Sequence, residues 1–177
     1  MNHEKFSTRI LIQAAMMAAI TIVLAQFHLF QLPQGGEISL GTMVPLILLA
    51  RAHGVTITLL AGFICGMIGL MLNPFIYHPV QVLLDYPLPY MVMAIAALFR
   101  QHLYLGVTAA FTLKFLCHFL SGIIFFAAYA PEGMSPFLYS ATYNATTLVP
   151  DFIICCLILK LLPLHRLSTA LHAAHHP

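Results

Sequence analysis

Charge is what this chain lacks. Lys and Arg number seven and Asp and Glu five, so only 7% of the 177 residues are charged, against about 25% in a soluble domain. So few charges cannot build a water-facing surface, which excludes a soluble globular domain. A formal net charge of only +2 excludes the basic patch that nucleic-acid binding needs. Tryptophan is absent, and Cys65, Cys117, Cys155 and Cys156 have no CxxC spacing. These thiols lie in apolar segments and read as small core residues rather than metal or redox groups. HExxH, GxSxG and Walker motifs are missing, as is a pair of histidines spaced to hold a haem between two spans. The expectation is a protein that is not an enzyme, holds no cofactor or metal, and cannot by itself power transport.

What is present is hydrocarbon-compatible sequence, 61% hydrophobic with a mean hydropathy of +0.94. A helix needs about 20 apolar residues to cross about 30 Å of hydrocarbon. On that scale the chain reads as one all-α domain, residues 1–177, with six transmembrane spans. They fall at about 10–30, 40–50, 55–72, 80–99, 103–129 and 137–162, the second being short. The run from Ile10 is longer than a signal-peptide core and reads as a span. Lys5, Arg9, Arg51, Arg100, Lys160 and Arg166 all fall on one side of this arrangement, and the opposite loops hold no Lys or Arg. That asymmetry predicts both termini in the cytoplasm of a multi-pass protein of the cell membrane.

The outer loops QLPQGGEIS, NPFIYHP and PEGMSPF are rich in Pro and Gly. Tight turns account for that composition, but the first loop invites more. A short second span leaves backbone near Gln31 to Ser39 that must dip inward or lie across the top. Such backbone is tolerated only against protein or a cavity, so Gly35, Gly36 and Glu37 are read as a lid. In the first span Ala14 and Ala18, and likewise Ala15 and Ala19, lie four apart and offer a smooth face to another helix. Packing inside the protein explains that spacing equally well. Gly62, Gly66 and Gly69 read chiefly as internal packing. His172, His175 and His176 in the tail read as disorder ahead of metal binding.

A rise of 1.5 Å per residue turns position into depth. Asp85 lies roughly 8 Å below the outer surface and Asn144 roughly 10 Å, with His118 near the same level. Three helices thus aim an acid, an imidazole and an amide at one layer in the outer half of the bilayer. Asp85 sits in LLDYPLPY, where Pro87 and Pro89 bend the helix. A carboxylate beside the Tyr86 ring suits an organic cation, while an ion pair with Lys114 is the structural alternative. His118, on the same helix face as Lys114, would be an ordinary core histidine if it stood alone. Together with Phe126, Tyr139 and Asn144 it can stack on and hydrogen-bond a flat heteroaromatic ring. Asp151, deeper, takes Lys114 as its most plausible partner. Lys114, Gly122 and Tyr143 are read as support for the pocket.

These residues resemble a known family, the thiamine-specific substrate-binding (S) components of energy-coupling factor (ECF) transporters. The likeness covers nearly the whole chain. It rests on GGEISLGTMVPLILLARAHG, LLDYPLPY, HFLSGIIFFAAYAPEGMSPFLYS and YNATTLVPD, and on the spacing from His118 to Phe126, Tyr139 and Asn144. The resemblance implies a ligand with a thiazolium and an aminopyrimidine ring. Asp85 would meet the thiazolium charge with Tyr86 alongside, and His118, Tyr139 and Asn144 would hold the pyrimidine, with Phe126 as an aromatic wall. It implies that Ala14, Ala15, Ala18 and Ala19 form the AxxxA face docking on a shared transmembrane subunit, with two ATPases driving delivery inward. The chain departs from the family in lacking Trp and in placing Asp85 where Glu is frequent. Two other classes fit the residues alone: a self-sufficient proton-coupled carrier of a cationic vitamin, and a membrane redox or enzyme subunit.

Overall fold

The computed structural model describes residues 7–164. Helix α1, Thr8–Leu24, starts where the Ser7 hydroxyl accepts a hydrogen bond from the Ile10 N–H at 3.3 Å. It stops short of the expected Phe30. The chain instead forms two antiparallel strands, β1 (His28–Gln31) and β2 (Glu37–Ser39), so the fold is not purely helical. A turn over Pro33–Gly35 joins them, with Gln34 and Gly35 at positive φ and Leu32 N–H donating to Gly36 O at 2.6 Å. Pro33 and two glycines favour a reversal here, and pairing the strands satisfies backbone groups that a water-poor surrounding would leave unpaired.

Helix α2, Val44–His53, is short and enclosed on all sides, with Leu46, Ile47 and Leu49 wholly buried. Helix α3, Val55–Leu72, follows immediately. The expected fourth span arrives in three pieces: α4 (Pro79–Asp85), α5 (Pro87–Met91) and a 3-10 segment, Val92–Phe99. The break falls at Tyr86, because Pro87 and Pro89 bring no N–H to bond the preceding turn. Helix α6, Leu103–Phe125, ends four residues before the expected Tyr129 and passes into a 3-10 turn, Ala127–Tyr129. Helix α7, Pro136–Leu161, closes the described chain. Lys5, Arg166, His172, His175 and His176 lie outside the described residues.

Among the described residues, four stretches are long and apolar enough to cross a membrane: Val55–Leu72, Pro79–Phe99, Leu103–Phe125 and Pro136–Leu161. Helices α1 and α2 are apolar but shorter. Leu11, Ile12, Met16, Ile20, Phe63, Ile64, Leu120, Ile124, Ile153 and Leu157 are exposed on the outer surface, as a surface solvated by lipid requires. Lipid is as apolar as Leu, so dispersion and close fit hold such a bundle together rather than water exclusion.

Close fit is visible where α3 meets α5. A Cβ at Gly62 would lie 2.6 Å from the Tyr90 carbonyl oxygen, and one at Gly66 would lie 2.5 Å from Pro87 Cα. No side chain fits between these backbones, so both glycines serve internal packing; Gly69 meets nothing and opens on a cavity instead. Gly66→Leu is expected to destabilise the protein by about 1–3 kcal/mol or more, the scale of overpacking. A lowered thermal midpoint in detergent, against an unchanged one for Gly69→Ala, is the result that checks it.

Burial also divides the alanine face of α1. Ala14 and Ala18 are in the core, 7% and 6% exposed, where Cys65 Sγ donates to the Ala18 carbonyl at 3.7 Å. They cannot meet a partner subunit, which corrects the reading of all four alanines as one docking face. Ala15 and Ala19 face outward. Cys65 and Cys155 are buried free thiols, and Cys117 and Cys156 are half-buried.

Candidate functional site

A cavity of about 230 Å³ opens between β1–β2, α4, α5, α6 and α7. Its walls include every position expected to touch ligand: Asp85, Tyr86, His118, Phe126, Tyr139 and Asn144. The supporting Lys114, Gly122 and Tyr143, and the lid residues Gly35, Gly36 and Glu37, line it too. Drug-sized ligands occupy about 300–1,000 Å³, so the natural occupant is small. Three carboxylates, Asp85, Glu37 and Asp151, face a single ammonium, Lys114, across this space. That excess of negative charge favours a cation.

Asp85 is the best-held of the three. Its Oδ1 lies 3.2 Å from His118 Nδ1, and its Oδ2 accepts from Gln81 Nε2 and Ser121 Oγ, each at 2.8 Å. An ionised carboxylate only accepts, so His118 pairs with it through an N–H at Nδ1. Three donors on one carboxylate fix its direction. No ion pair forms between Asp85 and Lys114; the partner is His118. Gln81 and Ser121 were not anticipated, although the first stands four residues before Asp85 and the second three after His118. Those spacings put each on the same helix face as its neighbour.

Aromatic groups frame this end. Tyr86 Oη accepts from Phe75 N–H at 2.7 Å and donates to Asn73 O at 2.8 Å, which ties the loop after α3 across the cavity mouth. Gln81 fastens the same loop by accepting from Tyr77 N–H and donating to Phe75 O. Phe75 thereby stacks on Phe126 with centroids 5.8 Å apart. On the α7 wall Tyr139 and Tyr143 are neighbours at 5.9 Å, and the Asn144 amide donates to Ser140 O at 2.9 Å.

The strand pair covers the cavity. Tyr143 Oη accepts from Gly36 N–H at 3.0 Å and donates to the Pro33 carbonyl, and Asp151 Oδ1 accepts from Ser39 N–H at 2.6 Å. A Cβ at Gly36 would lie 2.8 Å from Tyr143 Oη, so only glycine lets the lid settle this closely. Glu37 sits on the inner side, with His28 Nδ1 3.9 Å from its Oε2. Burial pushes the Glu37 carboxyl above its ordinary range, and Lys114 and His28 oppose that shift. Lys114 and Asp151 do not pair as expected. Lys114 Nζ stands 5.9 Å from the centre of the Tyr90 ring, and Asp151 is engaged by the lid backbone.

A family model described as thiamine transporter protein (Thia_YuaJ) matches residues 11–171. The chain belongs to that family. A thiamine transporter, ThiT, from Bacillus subtilis (strain 168) is 35% identical to this Thia_YuaJ member over 181 residues, covering 92% of this chain and 93% of that one. ThiT of Lacticaseibacillus paracasei is 24% identical over 155 residues, covering 76% and 77%. A solved ThiT structure from Listeria monocytogenes superposes with a TM-score of 0.80 at 22% identity, over 90% of this chain and 96% of that one; at that identity the likeness speaks for the fold. Membership of a transporter family, with its apolar helices, makes this Thia_YuaJ protein a multi-pass protein of the cell membrane and not an enzyme.

Proposed function

We propose that this chain binds thiamine from the outer side of the membrane and serves as the S component of an ECF-type importer. One observation carries the reading beyond family membership: a carboxylate clasped by three donors, Asp85, stands beside aromatic rings in an acid-rich cavity of vitamin size. Thiamine offers the matching pieces, a cationic thiazolium and a flat aminopyrimidine. Asp85 takes the thiazolium charge with Tyr86 alongside; His118, Tyr139 and Asn144 hold the pyrimidine, and Phe126 closes one face. In this reading the single domain spans the bilayer six times with both termini cytoplasmic and the cavity in the outer half. Helix α1 docks on the transmembrane subunit through Ala15 and Ala19, and two ATPases supply the energy.

Titrating purified protein with thiamine and following tyrosine fluorescence tests the proposal, since no tryptophan masks the signal. Saturation at one ligand per chain is expected; no saturable change, with calorimetry equally silent, overturns it. The lid gives a kinetic prediction. Tyr143→Phe keeps the ring under Gly36 but removes the hydroxyl that holds Gly36 and Pro33. Thiamine release should accelerate by about tenfold, the scale of one hydrogen-bonded tether, with little change in association. Stopped-flow dissociation rates decide it, and an unchanged rate removes Tyr143 from the lid's closure.

A further inference from the structure

The end of the bundle opposite the strand pair carries charge that no described residue answers. Helix α3 starts there at Val55, the fourth stretch ends at Phe99, α6 starts at Leu103 and α7 ends at Leu161. Arg51 and Arg100 meet at this end around Gly54, the residue that turns α2 into α3. Arg51 is on the last turn of α2, three residues before Gly54. Arg100 follows the 3-10 segment, and its Nη2 lies 2.9 Å from where a Gly54 Cβ would stand. Gly54 has φ +85°, so glycine both permits the turn and leaves the guanidinium room against the backbone. Two cations at one corner repel each other, more so where water is scarce. No described carboxylate offsets them. The two ion pairs among the described residues are His28–Glu37 and His118–Asp85. Of the other described acids, Asp151 is engaged by the lid and Glu132 lies in the loop before α7, at the opposite end.

We propose that the Arg51–Arg100 corner binds the headgroup phosphate of an anionic membrane lipid. Position selects a lipid among anions. Four membrane-length stretches begin or end at this level, so the corner sits where headgroup phosphates lie. Leu98, Tyr104 and Leu105 flank Arg100 in the chain and are exposed, which offers apolar surface to the acyl chains. Tyr104 stands close to the end of α6, the depth at which amphipathic rings favour the membrane interface. A guanidinium presents parallel N–H groups that match two oxygens of one phosphate. With Arg51 one turn from Gly54, that phosphate meets a second positive charge. A zwitterionic headgroup brings its own ammonium towards the same two cations, so the corner discriminates against it. Arg9 and Lys160, exposed on α1 and α7, add to the positive field of this end. Neither arginine lines the cavity, so this site is separate from that one and does not rest on what the cavity holds.

Three probes test this on the intact protein in nonionic detergent: short-chain phosphatidylglycerol, phosphatidylcholine of the same chain length, and inorganic phosphate. Native mass spectrometry counts bound lipid, and the thermal midpoint follows each titration. Phosphatidylglycerol is expected to bind about tenfold more tightly than phosphatidylcholine, and inorganic phosphate to leave the midpoint unmoved. Arg51→Gln and Arg100→Gln should each weaken phosphatidylglycerol about five- to tenfold, the scale of one cation at an anionic surface. Arg100→Lys keeps the charge without the fork and should fall between, which guards against a folding defect in the neutral variant. Lys160→Gln removes the same charge from α7 and should change affinity less than twofold. Equal binding of the two lipids would overturn the site, and so would arginine variants that bind as the wild type does. Losses in Lys160→Gln as large as those in Arg100→Gln would replace a site with a diffuse field. A response to inorganic phosphate equal to that of the lipid would make the corner an anion site with no lipid selectivity, against the proposal.

Discussion

Asp85→Asn is expected to weaken thiamine binding between about tenfold and a hundredfold while the protein remains folded. The estimate follows from the loss of one charge-assisted contact, worth roughly 1.5–3 kcal/mol. Geometry sharpens it. The Asp85 oxygens already face three donors, from Gln81, Ser121 and His118. An asparagine amide turned either way brings its own N–H groups against at least one of them, so the side chain loses its fixed direction together with its charge. Ser121→Ala and Gln81→Ala should show smaller losses with the charge retained, because they loosen the carboxylate without removing it. Calorimetric titration of the three variants gives the ranking. Equal affinity for Asp85→Asn and wild type would mean that the cation sits elsewhere, with Glu37 or Asp151 the remaining acids of the cavity.

Much of this architecture can be read from sequence because hydrocarbon imposes long runs of one character. Val55–Leu72 and Pro136–Leu161 match their expected limits within a residue at each end, their starts marked by Gly54 and by Ser135 with Pro136. The break at Tyr86 follows from Pro87 and Pro89 and was equally legible. The strand pair was not. Residues 28–39 alternate polar and apolar side chains only over the three residues Glu37–Ser39, and what holds them comes from Tyr143 and Asp151, more than a hundred positions away. Local pattern carries no trace of such contacts.

Pairing at the site failed for a related reason. Helical depth counting brought Asp85, His118 and Asn144 to one level, and all three do line one cavity. It read Asp85 as a receptor for a cation, with an ion pair to Lys114 as the alternative, and did not foresee His118, which the structure joins to Asp85 at 3.2 Å. Lys114 lies one turn away, left to the other end of the cavity. The two are thereby distinct: the Asp85 carboxylate is saturated with donors, while Lys114 makes no hydrogen bond among the described residues and stands near the Tyr90 ring.

Uptake should fall to background when Ala15 and Ala19 are both replaced by Trp, with thiamine affinity unchanged within about twofold. Helices in lipid associate through dispersion, which falls off steeply with separation, so small residues one turn apart are what let two backbones approach. Ala15 and Ala19 are the outward pair on α1, flanked by the exposed Leu11, Ile12, Met16 and Ile20. Bulky rings there would hold a partner helix several ångströms away and leave the cavity, lined from other elements, untouched. The control is the neighbouring pair. Ala14→Trp or Ala18→Trp places the same bulk in the core against α3 and should lower stability and binding together. Uptake assays in cells with the partner subunits present, run beside calorimetry on the purified variants, separate these outcomes. If transport persists in the Ala15/Ala19 double variant at wild-type rate, α1 is not the face that meets the transmembrane subunit.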